Sequence, residues 1–214
     1  MPRPRARPNN TPLKTMRIFC EGEKTEPLYL LEYIRGRRGD NRAAVVEVQS
    51  SNKNTPVQLV NEAVKFKKSS GFLPNDELWV VYDRESTAKY PDHLHAQAWS
   101  KAASSGVKIA LSNVCFEAWI LLHFVQTTGA YTCYDDLYKR SALNQKVQNL
   151  TGEGYNKAGR ALFRHLSPFV QTARSRAVLM NKQSVSSAPP GAKFYQINPY
   201  TGVPDLLEAI DDFK

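Results

Sequence analysis

The sequence has few cysteines, and none of them is placed as a disulfide framework or a zinc site would require. Cys20, Cys115 and Cys133 form no C-x-x-C pair and are odd in number. A small disulfide-stapled fold and a structural zinc site are therefore not indicated. Unpaired thiols fit a reducing compartment, and we expect the protein in the cytoplasm.

Long apolar segments are also lacking. The longest apolar run, residues 118–125, contains His123 and is far too short to cross a bilayer. Residues 1–10 do not contain the apolar segment of a secretion signal. We therefore expect a soluble protein with no membrane partner. A phosphate-binding loop, a G-x-S-x-G motif and a Cys/His catalytic pair are missing too, so ATP hydrolysis by this chain alone is not expected.

Positive charge is present in excess. The 214 residues include 29 lysines and arginines against 20 acidic residues, which gives a formal net charge of +9. Such a balance favours polyanionic partners, of which nucleic acid is the most general. Arg3, Arg5 and Arg7 lie among prolines near the start, and they predict a flexible basic arm over residues 1–14.

Apolar runs alternate with amphipathic segments through the first half of the chain. Strands are predicted at residues 16–20, 43–48, 78–82 and 107–111, with a helix after each. This alternation predicts an α/β core over residues 15–126, built on an open, mainly parallel four-stranded sheet flanked by helices. Residues 127–214 predict a helical extension packed on that core, with helices near 134–147, 157–166, 168–181 and 203–213.

Acidic residues follow two of the predicted strands. Glu21 and Glu23 come after the first strand, and Asp83 and Glu85 come after the third. The carboxyl ends of parallel strands meet at one edge of a sheet, where the carboxylates would repel one another unless a divalent cation bridged them. Mg²⁺ or Mn²⁺ suits such ligands. The alternative is that these are exposed strand-end acids or acids at a helix start; Glu26 is assigned to the latter role.

Glu117 and several basic residues complete the candidate set. Glu117 lies in an apolar helical pattern, where a buried carboxylate needs a partner. Lys157 is the cation we single out for a scissile phosphate. Together with Lys157, the candidates for nucleic-acid binding are Arg160, Arg164, Arg174 and Arg176, although a solvated basic face is the alternative.

Other polar residues in these segments are given structural roles. His123 is interpreted as a core histidine with its hydrogen bonds satisfied, and His93 and His95 as solvent-exposed. Ser112 and Asn113 are interpreted as capping the fourth helix, and the alternative is that they face the metal site.

These motifs resemble the RloB family, whose core is similar to the Toprim domain. The resemblance is carried by E-G-E-K-T-E-P at residues 21–27, D-R-E at 83–85 and S-N-x-x-F-E-x-W-x-x-x-H-F at 112–124. It is extended by G-Y-x-K at 154–157 and N-P-x-T at 198–201. The resemblance implies that Glu21 is the general acid/base or metal-proximal glutamate and that Asp83 with Glu85 replaces the Toprim D-x-D pair. It also implies a role in antiphage defence beside an ABC-type ATPase.

Three functional hypotheses follow. The first is a Mg²⁺-dependent nuclease with Glu21, Asp83 and Glu85 at the metal, supported by Glu117 and Lys157. The second is a non-catalytic adaptor that binds nucleic acid or the ATPase. The third is a phosphotransferase or nucleotidyl-transferring enzyme. Whether the target is DNA or RNA, and whether the chain is a monomer or a homodimer, is left open by the sequence.

Overall fold

The computed structural model describes residues 13–37, 44–51, 55–159 and 161–213. The predicted arm over residues 1–14 lies outside these ranges except for its last two positions, and Lys14 already belongs to the first strand. The strands are β1 Lys14–Glu21, β2 Ala44–Ser51, β3 Glu77–Asp83, β4 Lys108–Asn113 and β5 Tyr200–Thr201. The helices are α1 Thr25–Arg37, α2 Pro56–Lys67, α3 Asp92–Ser105, α4 Glu117–Leu122, α5 Tyr134–Arg140, α6 Leu143–Thr151, α7 Leu162–Leu166, α8 Val170–Ser187 and α9 Val203–Asp212.

The described strands form one sheet in the order β2-β1-β3-β4-β5. The first four strands run parallel, which confirms the predicted α/β class and its mainly parallel sheet. The prediction of four strands was wrong, because β5 adds an antiparallel edge beside the end of β4. Its two residues are too few to show a period-2 pattern, so only the tertiary fold reveals this strand.

The register brings the two acidic turns to the same place. In the pairing of β1 with β3, Cys20 lies opposite Val81, so Glu21 and Asp83 end neighbouring strands at the same edge. The turn after β1 depends on Gly22, whose φ of 77° is readily adopted only by glycine. This tight turn lets α1 begin at the same edge of the sheet.

The sheet is covered on both faces. Ile18 and Val81 belong to the apolar cluster packed by α1, α4, α8 and α9, whereas Phe19 and Val80 belong to the cluster packed by α2 and α3. The continuous apolar run of β3 is thus explained by burial on both sides. Because the later helices contribute Leu137 to the same cluster as Ile18, the second half of the chain packs directly on the sheet.

Two helical predictions in the second half differ from the structure. The segment 134–147 forms two helices, α5 and α6, with a break between them. In the segment 157–166 the described helix is only Leu162–Leu166. The Asn156 side chain accepts a hydrogen bond from the backbone N–H of Ala158, and this local bond competes with helix formation. Among the described residues, no helix is long and apolar enough to cross a membrane.

Polar side chains inside the fold are used for packing. His123 is buried and bonds to the Tyr29 hydroxyl and the Trp119 carbonyl, which confirms its interpretation as a satisfied core histidine. The prediction that His95 is exposed was wrong, because its ring stacks between Tyr82 and Tyr195, while His93 is exposed as predicted.

Ser112 and Asn113 do not cap α4. Ser112 pairs with the Thr201 hydroxyl, and the Asn113 amide donates to the Ile197 carbonyl. Both contacts fasten residues 195–201 to the end of β4, because β5 and the segment before it pack where a helix cap was predicted.

We expect His123 to make the protein acid-sensitive. Burial lowers its pKa from 6.5 to about 4, so between those values the unfolded chain binds the proton more readily than the folded one. Stability present above pH 6.5 is therefore lost as the pH falls toward 4, by about 2 kcal/mol between pH 7 and pH 5. Chemical denaturation of the His123→Gln variant should show a correspondingly smaller loss than the original chain over this interval. An equal loss in both proteins contradicts the prediction.

Candidate functional site

A cavity of about 360 Å³ opens at the carboxyl ends of β1 and β3. Its lining is Glu21, Gly22, Glu23, Lys24, Thr25, Glu26, Asp83, Glu85, Phe116, Glu117 and Lys157. The fold thus brings together residues that are up to 136 positions apart in the sequence, since Glu21 and Lys157 share this cavity. All five predicted catalytic residues line it.

Glu21 and Asp83 are the deepest strand-end acids in the cavity. Burial raises the pKa of Glu21 to about 7, although the Lys89 charge and the Asp83 backbone N–H act in the opposite direction. Burial also raises the pKa of Asp83 well above its usual range, and the charges of Glu26, Glu117, Glu21 and Glu85 add to the effect. Both acids therefore hold protons more strongly than exposed carboxyl groups do.

Three carboxylate oxygens in the cavity are short of donors. Glu21 Oε2, Asp83 Oδ1 and Glu117 Oε2 are buried, and within the described ranges none of them has a hydrogen-bond partner. A buried acceptor without a partner costs about 1–3 kcal/mol, and more when it carries charge. All three residues line one cavity, which is typical of a site completed by a bound cation.

Glu117 stands at the start of α4 and is only 1% exposed. The Tyr155 hydroxyl donates to its Oε1 at 2.8 Å, and Lys157 Nζ lies 3.3 Å from the same oxygen. The prediction that this carboxylate needs a partner is therefore confirmed. Burial raises the pKa of Tyr155 far above its usual range, and the Glu117 charge adds to this, so the hydroxyl remains a donor.

Lys157 reaches the cavity from the loop before α7. Its ammonium lies 3.6 Å from the centre of the Tyr134 ring, and its side chain remains 41% exposed. Burial alone would lower the pKa of Lys157, but the charges of Glu117 and Asp83 outweigh burial and raise it. The cavity thus combines two lysines, Lys24 and Lys157, with several carboxylates.

Glu85 closes the far side of the cavity. Its φ is 59°, a positive value that is uncommon for a residue other than glycine. Its Oε1 accepts a hydrogen bond of 2.7 Å from Lys89 Nζ. The left-handed conformation turns the chain just after Asp83. The Glu85 side chain is 23% exposed.

A family model described as RloB-like protein matches residues 16–210. The chain belongs to the RloB-like protein family. No curated protein and no solved structure gives a significant match. The family assignment confirms the resemblance drawn from the sequence motifs, while the Toprim-like character of the core remains a proposal.

Sequence reasoning missed Glu26 as a site residue of this RloB-like protein. It does lie in the first turn of α1, as predicted, but it is buried and lines the cavity. Burial raises its pKa well above the usual range; its own backbone N–H lowers it, and the charges of Glu117 and Glu21 raise it further. The available signal was its position, because a helix that starts directly after β1 presents its first turn to the same edge.

The predicted nucleic-acid-binding residues are spread over the helical half of the RloB-like chain. Arg164 is exposed on α7, whereas Arg174 bonds to Asp211 and to the Tyr33 hydroxyl. Arg176 donates to the Leu122 carbonyl. Arg160 lies outside the described residues. A role of these arginines in binding nucleic acid stays a prediction, and for Arg174 and Arg176 it would compete with contacts inside the protein.

The carboxylates that line the cavity are of the ligand type that Mg²⁺ takes. In the part of the RloB-like chain that the structure describes, no group of three or more histidine, cysteine, aspartate or glutamate side chains is arranged so that it could hold an ion by itself. Mg²⁺, however, usually takes one or two carboxylates and completes its shell with water and substrate phosphate. The unpartnered oxygens of Glu21 and Asp83 fit that smaller requirement.

Proposed function

We propose that this RloB-like protein is a Toprim-like, Mg²⁺- or Mn²⁺-dependent nuclease that cuts phosphodiester bonds in DNA or RNA. The observation that carries the proposal is the set of three buried carboxylate oxygens without donors, on residues that line one cavity together with Lys157. Such a cavity is costly for the folded protein, and a cation between the carboxylates would offset the cost.

In this proposal each side chain of the cavity has its own role. Asp83, with Glu85 and Glu21, would hold the cation, which when bound supplies Lewis-acid stabilisation of phosphate charge and activation of water. Where Asp83 and Glu85 alone hold the cation, Glu21, whose pKa burial raises to about 7, suits proton transfer instead. Lys157 is exposed enough to contact a phosphate and to balance negative charge that develops there.

The cellular setting of the proposed activity comes from the family. We propose that the protein works in the cytoplasm in antiphage defence, beside an ABC-type ATPase. The three cysteines are free, which fits a reducing compartment. The net charge of +9 fits a nucleic-acid substrate.

The test is cutting by the purified full-length chain. We expect labelled single- or double-stranded DNA or RNA to be cut in Mg²⁺ or Mn²⁺, and cutting to stop in excess EDTA. A Glu21→Gln preparation, purified identically, controls for contaminating nucleases and should be inactive. If none of these substrates is cut in either metal, with or without the ATPase, the proposal is wrong.

The adaptor hypothesis has one observation in its favour. Lys157 already pairs with Glu117, so part of the carboxylate charge is balanced inside the protein. An adaptor would bind nucleic acid or the ATPase equally well in Mg²⁺ and in EDTA, and it would keep its biological activity in the Glu21→Ala and Asp83→Ala variants.

A further inference from the structure

We propose, on the basis of the metal-dependent function proposed above, that Tyr155 is a positioning residue for the cation site. Its hydroxyl anchors Oε1 of Glu117 so that Oε2 stays directed into the cavity for a divalent cation. Tyr155 itself does not touch the cation or the substrate.

The two carboxylate oxygens of Glu117 differ in their hydrogen-bond partners. Oε1 receives both donors, the Tyr155 hydroxyl at 2.8 Å and the Lys157 ammonium at 3.3 Å. Oε2 is buried and has no hydrogen-bond partner in the described parts of the chain, although the Cys115 thiol interacts with the same carboxylate. Two donors on one oxygen fix the rotation of the carboxylate, and the free oxygen is then presented in one direction.

The loop that carries Tyr155 is itself held in place. The Tyr155 backbone N–H donates to Asn144 Oδ1 at 2.9 Å, and the Thr25 hydroxyl donates to the Lys157 carbonyl at 3.4 Å. At Gly154 a Cβ would come within 2.9 Å of the same Asn144 oxygen, so glycine allows this close approach. The loop is thus fastened to α6 on one side and to the start of α1 on the other.

A purely structural role does not account for this arrangement. If Tyr155 only satisfied a buried carboxylate, the fold would gain most by supplying donors to both oxygens, because an acceptor left bare costs about 1–3 kcal/mol. A cation bound at Oε2 would offset the cost of leaving this oxygen without a protein donor. Groups that orient metal ligands from outside typically contribute 10–100-fold in metal affinity or activity.

The decisive variant is Tyr155→Phe, which keeps the buried ring and removes only the hydroxyl. We expect the affinity for Mn²⁺, measured by titration calorimetry on the full-length chain without nucleic acid, to fall by about 10–100-fold. In cutting assays kcat should fall at saturating metal, while KM for nucleic acid stays within about twofold. A smaller loss of the same sign is expected for Asn144→Ala, which loosens the loop and leaves the hydroxyl intact.

Tyr33→Phe is the matched control. The Tyr33 hydroxyl also bonds to a carboxylate beside a cation, Asp211 with Arg174, and none of these three residues lines the cavity. The two variants should lose similar stability, and only Tyr155→Phe should lose Mn²⁺ affinity.

Separate results overturn the two proposals. Unchanged Mn²⁺ affinity in Tyr155→Phe, in a chain that still cuts, overturns the positioning role and leaves the nuclease standing. An equal loss in Tyr33→Phe also overturns the positioning role. A wild-type chain that binds no Mn²⁺ and cuts nothing overturns both.

Discussion

Asp83→Asn is expected to abolish cutting and, at the same time, to make the metal-free protein more stable. Removing a proposed metal ligand should lower kcat by about 100-fold or more. The gain in stability follows from the raised pKa of Asp83, caused by burial and by its acidic neighbours. Ionising Asp83 costs free energy in the folded state, so the stability of the wild type falls as the pH rises through that pKa. The Asp83→Asn variant has no carboxyl group to ionise at this position and therefore does not lose this stability.

The free energy of unfolding should be measured by urea denaturation in EDTA at pH 6 and pH 8.5. At pH 8.5 we expect Asp83→Asn to be more stable than the wild type by about 1–2 kcal/mol, and at pH 6 the difference should be smaller. For a chain of this length each kcal/mol corresponds to a shift in Tm of about 2–4 °C. The asparagine amide also adds a donor where the neighbouring side chains offer mainly acceptors.

Metal should reverse the order of stability. Mg²⁺ or Mn²⁺ at 100 times its Kd should stabilise the wild type by about 2.7 kcal/mol and leave Asp83→Asn unchanged. Asp76→Asn is the contrasting control at the opposite end of β3. Asp76 accepts the backbone N–H groups of Thr15 and Leu73, so its loss should lower stability and leave cutting intact. An Asp83→Asn protein that cuts normally, or that is less stable than wild type at pH 8.5 in EDTA, contradicts this account.

The strand-end acids could be predicted from the sequence because their position depends on local patterns. An apolar run that stops at an acidic turn before a helix indicates where a strand ends, and parallel connection places such ends at one edge. Glu21 and Asp83 needed no further information. Glu117 was found by a different argument, since a carboxylate inside an apolar helical pattern must have a partner.

The remaining site residues depend on contacts across the fold. Tyr155 and Glu117 are 38 positions apart and meet because α4 and the loop before α7 pack side by side. The G-Y-x-K motif includes Tyr155, but nothing in that local pattern indicates that its hydroxyl meets Glu117. His95 was misplaced for the same reason, because the rings of Tyr82 and Tyr195 that enclose it come from other elements.

The middle residue of D-R-E has a role that the motif does not reveal. Arg84 points away from the acidic cavity lining and is only 4% exposed. Its Nε donates to the Tyr195 carbonyl at 2.9 Å, its Nη1 donates to the Tyr90 carbonyl at 2.8 Å, and its Nη2 pairs with Asp92. The guanidinium therefore ties the turn after β3 both to the start of α3 and to the segment before β5.

Arg84→Met is consequently expected to be the most destabilising substitution in this part of the protein. Methionine keeps much of the apolar stem but removes the ion pair and the donor to the Tyr90 carbonyl, and it leaves the Tyr195 carbonyl only the 3.4 Å contact from the Asn113 amide. We expect a cost of about 3 kcal/mol or more. Thermal unfolding should show a Tm lower by roughly 6–12 °C. Arg37→Met, the same change at an exposed ion pair with Asp211, should cost less than about 1 kcal/mol. Equal losses in the two variants would show that the contacts of Arg84 do not hold the turn that carries Asp83 and Glu85.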